Sequence, residues 1–97
     1  MTNQQKFQNA CGKGDILTVK KLLPKIDIHA NNDEALRGAS NRGRTEIVKM
    51  LLKHGANIHA DDDYALRLAE KYGHTNTVAL LLERGANKKF LKGIRER

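Results

Sequence analysis

Four histidines are the side chains of this 97-residue sequence best suited to hold a metal ion. His29 and His59 lie in two similar segments, "DIHANNDEALR" and "NIHADDDYALR", which share seven of eleven residues. If the segments belong to helical units whose helices pack ~8 to 10 Å apart, the two rings are too far apart to share a zinc, which needs Zn–N distances of about 2.0 Å. His54 and His59 flank a helix end without a His-Glu-x-x-His pattern. The sequence therefore predicts no metal site.

Two further segments resemble ligand-binding loops only in composition. Asp61, Asp62 and Asp63 are consecutive, whereas a calcium loop needs alternate acidic positions and a later glutamate. Turn formation and helix capping explain them better. "CGKGD", from Cys11 to Asp15, lacks the third glycine of a dinucleotide loop and the Gly-Lys-Ser/Thr ending of a P-loop. We expect no cofactor.

Catalysis needs a nucleophile or an acid–base pair in a concave pocket. No spacing in the sequence suggests a Ser/His/Asp or Cys/His arrangement. Cys11 is the single cysteine, so it forms no internal disulfide, and we interpret it as a small residue of a helix. The sequence predicts a protein without enzyme activity.

The net charge of +7 is concentrated at one end of the chain. Residues 88–97, "KKFLKGIRER", hold five Lys or Arg and one Glu, so they contribute +4 and leave +3 for the other 87 residues. The sequence has no apolar run of about 18 residues and no signal-peptide pattern. We therefore expect a soluble, intracellular, cytoplasmic monomer that does not enter membranes.

Internal repetition is the strongest signal in the sequence. Residues 35–57 and 65–87 are identical at twelve of 23 positions without a gap. A weaker copy lies upstream, where Phe7, Ala10, Gly14 and Val19 correspond to Leu36, Ala39, Gly43 and Val48 and one deletion is needed. The chain thus contains three copies of one unit.

Each copy has helical periodicity. Leu36 and Ala39 mark one side of a first helix of about eight residues, and Gly43 follows it. Val48 and Leu51 mark a second helix of about ten residues, which ends at a glycine, or at Pro24 in the first copy. Such short helices are not stable alone, so neighbouring units must cover each other's apolar stripes.

The segment "GRTEIVKMLLKHGANIHA", from Gly43 to Ala60, resembles the ankyrin repeat, and the resemblance covers about residues 5–90. It implies an all-α solenoid of three stacked helix-turn-helix repeats with short connecting loops, at about residues 5–33, 34–63 and 64–90 of a single domain 1–97. The copies have 30 residues instead of about 33, as in ankyrin repeats of giant DNA viruses that infect amoebae. The shortening predicts a small turn in place of the usual hairpin finger.

The same resemblance implies roles for the connectors between units. His29 and His59 are expected to hydrogen-bond the adjacent connectors. The family's Thr-Pro-Leu-His start is absent, so we expect Asp33 and Asp63 to be N-caps of the first helices. Ile58 is replaced by Lys88 in the third copy, which predicts that the third junction is not made. Phe90, Leu91 and Ile94 either form a terminal cap or belong to a frayed end.

Ankyrin proteins bind partners through loop tips and the exposed face of the first helices. Carried over to this sequence, that surface predicts another protein as the partner and a strip of amide, charged and tyrosine side chains as the site. Tyrosine and arginine often dominate interface energies. The predicted site residues are Lys13, Asn31, Asn32, Glu34, Arg37, Asn41, Arg42, Asp61, Asp62, Tyr64, Arg67, Lys71 and Tyr72.

Two alternatives to this function are open. The basic tail, 88–97, is a candidate for binding nucleic acid or an acidic surface through Lys88, Lys89, Lys92, Arg95 and Arg97. Only four aromatic residues are available for base stacking. The chain is also consistent with a minimal or engineered scaffold that has no natural ligand.

Overall fold

The computed structural model describes residues 1–91, which form six α-helices and two short 3-10 helices and contain no strand. The helices pair into three hairpins, α1 with α2, α3 with α4 and α5 with α6. Their bounds are α1 Asn3–Lys13, α2 Ile16–Leu22, α3 Ala30–Asn41, α4 Thr45–Lys53, α5 Ala60–Lys71 and α6 Thr75–Glu83, with 3-10 helices at Leu23–Lys25 and Lys88–Phe90.

Equivalent apolar residues of the three hairpins form continuous buried rows in one core. The second helices contribute Val19, Val48 and Val78 to this core, and the first helices contribute Leu36 and Leu66. Because no helix within residues 1–91 exceeds 12 residues, each one depends on this shared burial rather than on its own hydrogen bonds. The predicted all-α solenoid of three stacked helix-turn-helix units is confirmed.

The first helices form one row of the stack and the second helices form the other. The first helices α1, α3 and α5 pack against one another more extensively than α2, α4 and α6 do. The first-helix row is therefore the more closely packed of the two.

Each hairpin turn contains a glycine with positive φ, and at Gly43 a second requirement is added. Gly43 has φ +69°, and a Cβ atom there would lie 2.5 Å from Nδ1 of His74 in the next hairpin. The His74 ring crosses the turn because its Nε2–H donates to the carbonyl of Asn41 at 2.8 Å. Arg44 does the same one hairpin earlier, donating from Nε to Gly12 O at 2.9 Å. These hydrogen bonds join successive units.

The connectors between hairpins run into the first residues of α3 and α5, and both have the same unusual backbone conformation there. Asn31, Asn32 and Asp33 all have φ between 56° and 59°, and Asp61, Asp62 and Asp63 have φ between 55° and 56°. Each triplet forms one left-handed turn near the start of α3 or α5, and the right-handed part of the helix follows it. Asn and Asp tolerate this region best among residues with a Cβ. The predicted small turn and its repeated geometry are confirmed.

The predicted side-chain caps at Asp33 and Asp63 are wrong. Neither carboxylate bonds to the helix that follows it, because both residues lie within the left-handed turn and their side chains point elsewhere. Asp33 is buried and accepts a hydrogen bond from Asn57 N at 2.7 Å. Asp63 does the same with Asn87 N at 2.7 Å. The carboxylates thus close the second and third hairpins instead of capping a helix.

The prediction that the third junction is not made is wrong for its first half. Asn87 N donates to Asp63, and Lys89 N donates to Asn87 Oδ1 at 3.0 Å, as His59 N does to Asn57 Oδ1. These bonds need Asn87 and the backbone, so the loss of Ile and His does not prevent them. Leu91 packs against the core, while Ile94 lies outside the described residues.

Candidate partner-binding surface

The predicted site residues lie on the first helices, on the connectors before them or at the residue that ends them. None of these residues is buried, and those that are only partly exposed are Arg37, Asn41, Tyr64 and Arg67. They therefore occupy one accessible side of the stack. The surface has two parts, a connector edge and a row beside the hairpin turns.

The connector edge is built on the two left-handed turns. Arg37 donates from Nη2 to Asn31 O at 2.8 Å and from Nε to Asn32 O at 3.0 Å. Arg67 repeats both bonds with the carbonyls of Asp61 and Asp62. Each guanidinium therefore holds the turn that precedes its own helix, which sequence spacing did not indicate. The backbone of each turn is thereby restrained.

Aromatic rings and guanidinium groups alternate along this edge. The centroid of the Tyr64 ring lies 5.9 Å from Arg37 Cζ and 4.8 Å from Arg67 Cζ. Arg67 is also 6.0 Å from the ring of Phe90, a contact that the sequence did not predict. Asp61 Oδ2 lies 3.9 Å from Arg37 Nε. Tyr64 is thus held between two cations, which restrains its ring.

The row beside the turns contains Lys13, Arg42 and Tyr72, one residue from each hairpin. All three are exposed and stand immediately before a glycine with positive φ. Tyr72 is 53% exposed, which makes it the most exposed aromatic side chain of residues 1–91. The Lys71 ammonium lies 5.4 Å from its ring centroid. The row presents two cations and one large aromatic ring.

A groove between α1 and α3 adjoins this row, and the sequence did not predict it. Its volume is about 340 Å³. Gly12 and Gly38 leave it open, since a Cβ at either position would meet no atom within 4 Å. A possible signal was Gly38, which stands inside a helix where the next copy has Leu68. The lining residues are Gln8, Asn9, Gly12, Lys13, Gly38, Asn41 and Arg42.

The histidines of the connectors have structural contacts. His29 Nδ1 lies 3.0 Å from Asp33 Oδ1, and His59 Nδ1 lies 2.9 Å from Asp63 Oδ1. Each ring thus contacts the aspartate of its own connector. The prediction that these histidines bond the adjacent connectors is therefore wrong. Among residues 1–91, no group of His, Cys, Asp and Glu is arranged to hold a metal ion.

Cys11 is buried at 1% exposure in the core, as a small helix residue should be. Burial raises the pKa of its thiol to about 12, so the reactive thiolate is scarce at neutral pH. In the part of the chain that the structure describes, no helix has the length and apolar character needed to cross a bilayer.

Comparison with known proteins identifies the repeated unit. A family model described as ankyrin repeats (3 copies) matches residues 7–91. No curated protein matches the chain.

Proposed function

Because the chain belongs to the ankyrin repeat family, whose repeats are generally protein–protein interaction modules, we propose that it binds another protein without catalysing a reaction. The binding surface is the exposed side of α1, α3 and α5 together with the tips of the two left-handed turns. The observation that carries this proposal is the row Lys13, Arg42 and Tyr72.

This row has the properties of an interface anchor. Within residues 1–91, neither Lys13 nor Arg42 forms an ion pair, so both cations remain available to a partner. Tyr72 exposes a ring whose desolvation by a partner would be favourable. Arg and Tyr are the residue types that most often carry large shares of binding energy.

The rigidity of the connector edge supports the same surface. A partner that meets a mobile loop must order it, at about 0.5 to 1.5 kcal/mol for each flexible side chain that it immobilises. Here the hydrogen bonds of Arg37 and Arg67 already fix both turns. The surface is therefore organised before any partner arrives.

The proposal is tested by capture of partners from a lysate of the source organism, using the full chain as bait. Tyr72→Ala and Arg42→Ala each remove an exposed anchor without touching the core, so both should lose the partner and keep the melting temperature. Two matched controls remove similar groups from the second-helix row. Leu17→Ala removes an exposed apolar side chain of α2, and Lys49→Ala removes an exposed cation of α4.

Retention of the partner by Tyr72→Ala and Arg42→Ala, or its loss in both control variants, would contradict the proposal. A further variant addresses the basic tail, with Lys92, Arg95 and Arg97 changed to Gln. If only this variant loses the partner, and affinity falls steeply with the logarithm of salt concentration, the tail is the binding element instead.

A further inference from the structure

Gly38 stands in the middle of α3, where glycine is unfavourable. A helical glycine costs about 0.5 to 1 kcal/mol relative to alanine. No contact within residues 1–91 requires it, because a Cβ at Gly38 would meet none of their atoms within 4 Å. Gly12 of α1 is equally unconstrained and lines the same groove. The two glycines keep open a space that the fold does not use.

The walls of this groove consist of two kinds of polar group. Gln8, Asn9 and Asn41 supply carboxamides, which match the donors and acceptors of a peptide backbone. Lys13 and Arg42 supply two cations. Asp15, two residues after Lys13, accepts hydrogen bonds from Thr18 at both of its carboxylate oxygens. The groove is therefore a cationic site with amide walls.

The groove contains no aromatic or branched apolar side chain, so it offers nothing to a hydrophobic anchor. An acidic residue within a peptide suits both kinds of wall group, because its carboxylate pairs with the cations and its peptide groups pair with the carboxamides.

We propose that the groove between α1 and α3 is a subsite for a Glu or Asp side chain of an extended partner segment. This inference rests on the proposed function and adds the chemistry of the partner to it. Arg42 and Lys13 bind the carboxylate, and the backbone of the segment lies across Gly38. The volume of about 340 Å³ is at the low end of ligand pockets, which suits one acidic residue and its flanking peptide groups.

The test is a titration of the full chain, followed by amide NMR shifts, with two short capped peptides. One has Glu-Asp-Glu at its centre and the other has Gln-Asn-Gln. The acidic peptide should shift the amides of Gly12 and Gly38 and bind about tenfold more tightly, as expected for a charge-assisted hydrogen bond. Absence of these shifts, or equal binding of both peptides, overturns the inference.

Variants at Gly38 separate binding from folding. Gly38→Ala should raise the melting temperature, because alanine favours the helix. The same variant should bind the acidic peptide more weakly. Gly38→Leu, the residue at the equivalent position 68, should abolish its binding by filling the groove. Arg42→Gln should remove the preference for the acidic peptide, whereas Lys49→Gln should keep it. Unchanged binding in Gly38→Leu overturns the inference.

The same variants distinguish this inference from the proposed function. If a captured partner is lost in Tyr72→Ala but retained in Gly38→Leu, the chain is a binding module whose partner does not use the groove. If the partner is retained in both Tyr72→Ala and Arg42→Ala while the parent chain binds the acidic peptide, the groove accepts acidic segments but Arg42 and Tyr72 do not anchor the captured partner.

Discussion

The carboxylate of Asp33 accepts a hydrogen bond at 2.7 Å from the backbone N–H of Asn57, 24 residues later. Asp63 and Asn87 repeat this bond at the same distance. In the first hairpin the side chain of Gln4 takes the place of the aspartate and accepts from Asp27 N at 3.0 Å. The same kind of hydrogen bond therefore closes all three hairpins at their connector end. Its acceptor is an aspartate in two hairpins and a glutamine in the first.

Replacement of Asp63 by alanine should destabilise the fold because it removes the buried carboxylate that accepts a hydrogen bond from Asn87 N. Hydrogen bonds to charged groups contribute about 1.5 to 3 kcal/mol. Alanine also tolerates the left-handed region less well than aspartate. Chemical denaturation of the variant should therefore show a loss of at least about 2 kcal/mol.

Asp62→Ala is the matched control for this prediction. Asp62 has φ 55°, against 56° for Asp63, but it is exposed. Its substitution therefore measures the backbone cost alone. Equal losses of stability in Asp62→Ala and Asp63→Ala would show that the hydrogen bond to Asn87 contributes nothing.

Gly43→Ala should be more destabilising than Gly73→Ala. Both glycines have positive φ, 69° and 73°, so alanine meets the same left-handed penalty, about 1 to 2 kcal/mol, at each. Only at Gly43 would the new Cβ also meet the His74 ring. Thermal unfolding should give the lower midpoint for Gly43→Ala, and His74→Ala in the same chain should narrow the difference. Equal midpoints for the two single variants would mean that the ring moves aside freely.

Arg67→Lys should loosen the second left-handed turn although it keeps the charge. The guanidinium donates to Asp61 O at 2.9 Å and to Asp62 O at 3.1 Å, and an ammonium does not reproduce this planar pair of donors. Amide hydrogen exchange in residues 60–64 should become faster, while exchange in α2 stays the same. Lys49→Arg is the control, because it also replaces one cationic side chain by another but lies on an exposed site of α4 away from the turns. Unaltered exchange at the turn would contradict a structural role for Arg67.

The sequence was sufficient for the fold because the repeat itself carries the information. Alignment of the copies placed Val48 opposite Val78 and Leu36 opposite Leu66, and both pairs lie in the same buried rows. The turn glycines were equally readable, since positive φ is a property of the local backbone.

The connector conformation was not readable in the same way. The "IHA[ND][ND]D" pattern indicated a turn, and an aspartate before a helix favours a cap. The left-handed turn depends on Arg37 reaching back to Asn31 O, and the role of Asp33 depends on Asn57, which is remote in sequence. Local rules cannot specify such distant acceptors and donors.

The candidate site was predictable as a face but not as a set of contacts. The resemblance to ankyrin repeats placed Arg42 and Tyr72 on the exposed face of the first helices, and both side chains are exposed. The groove at Gly38 requires knowledge of how α1 packs beside α3, because its walls come from both helices. Its identification therefore needed the three-dimensional arrangement.

The buried thiol of Cys11 should make stability fall at alkaline pH. Its pKa is raised to about 12 in the folded protein by burial, from an ordinary value of 9.0. A raised folded pKa leaves stability intact below the unfolded pKa and removes it as pH rises toward the folded value. Between about pH 9 and 12 only the unfolded thiol ionises, so the loss should approach about 1.4 kcal/mol per pH unit. Other groups also titrate in this range, and Cys11→Ala isolates the cysteine.

Denaturation curves should show a shallower alkaline decline for Cys11→Ala than for the parent chain. Thiol labelling near pH 8 gives a second measurement, because Cys11 is 1% exposed and should react only through opened molecules. Rapid labelling of the folded protein, or identical alkaline slopes for the two chains, would contradict the burial of this side chain.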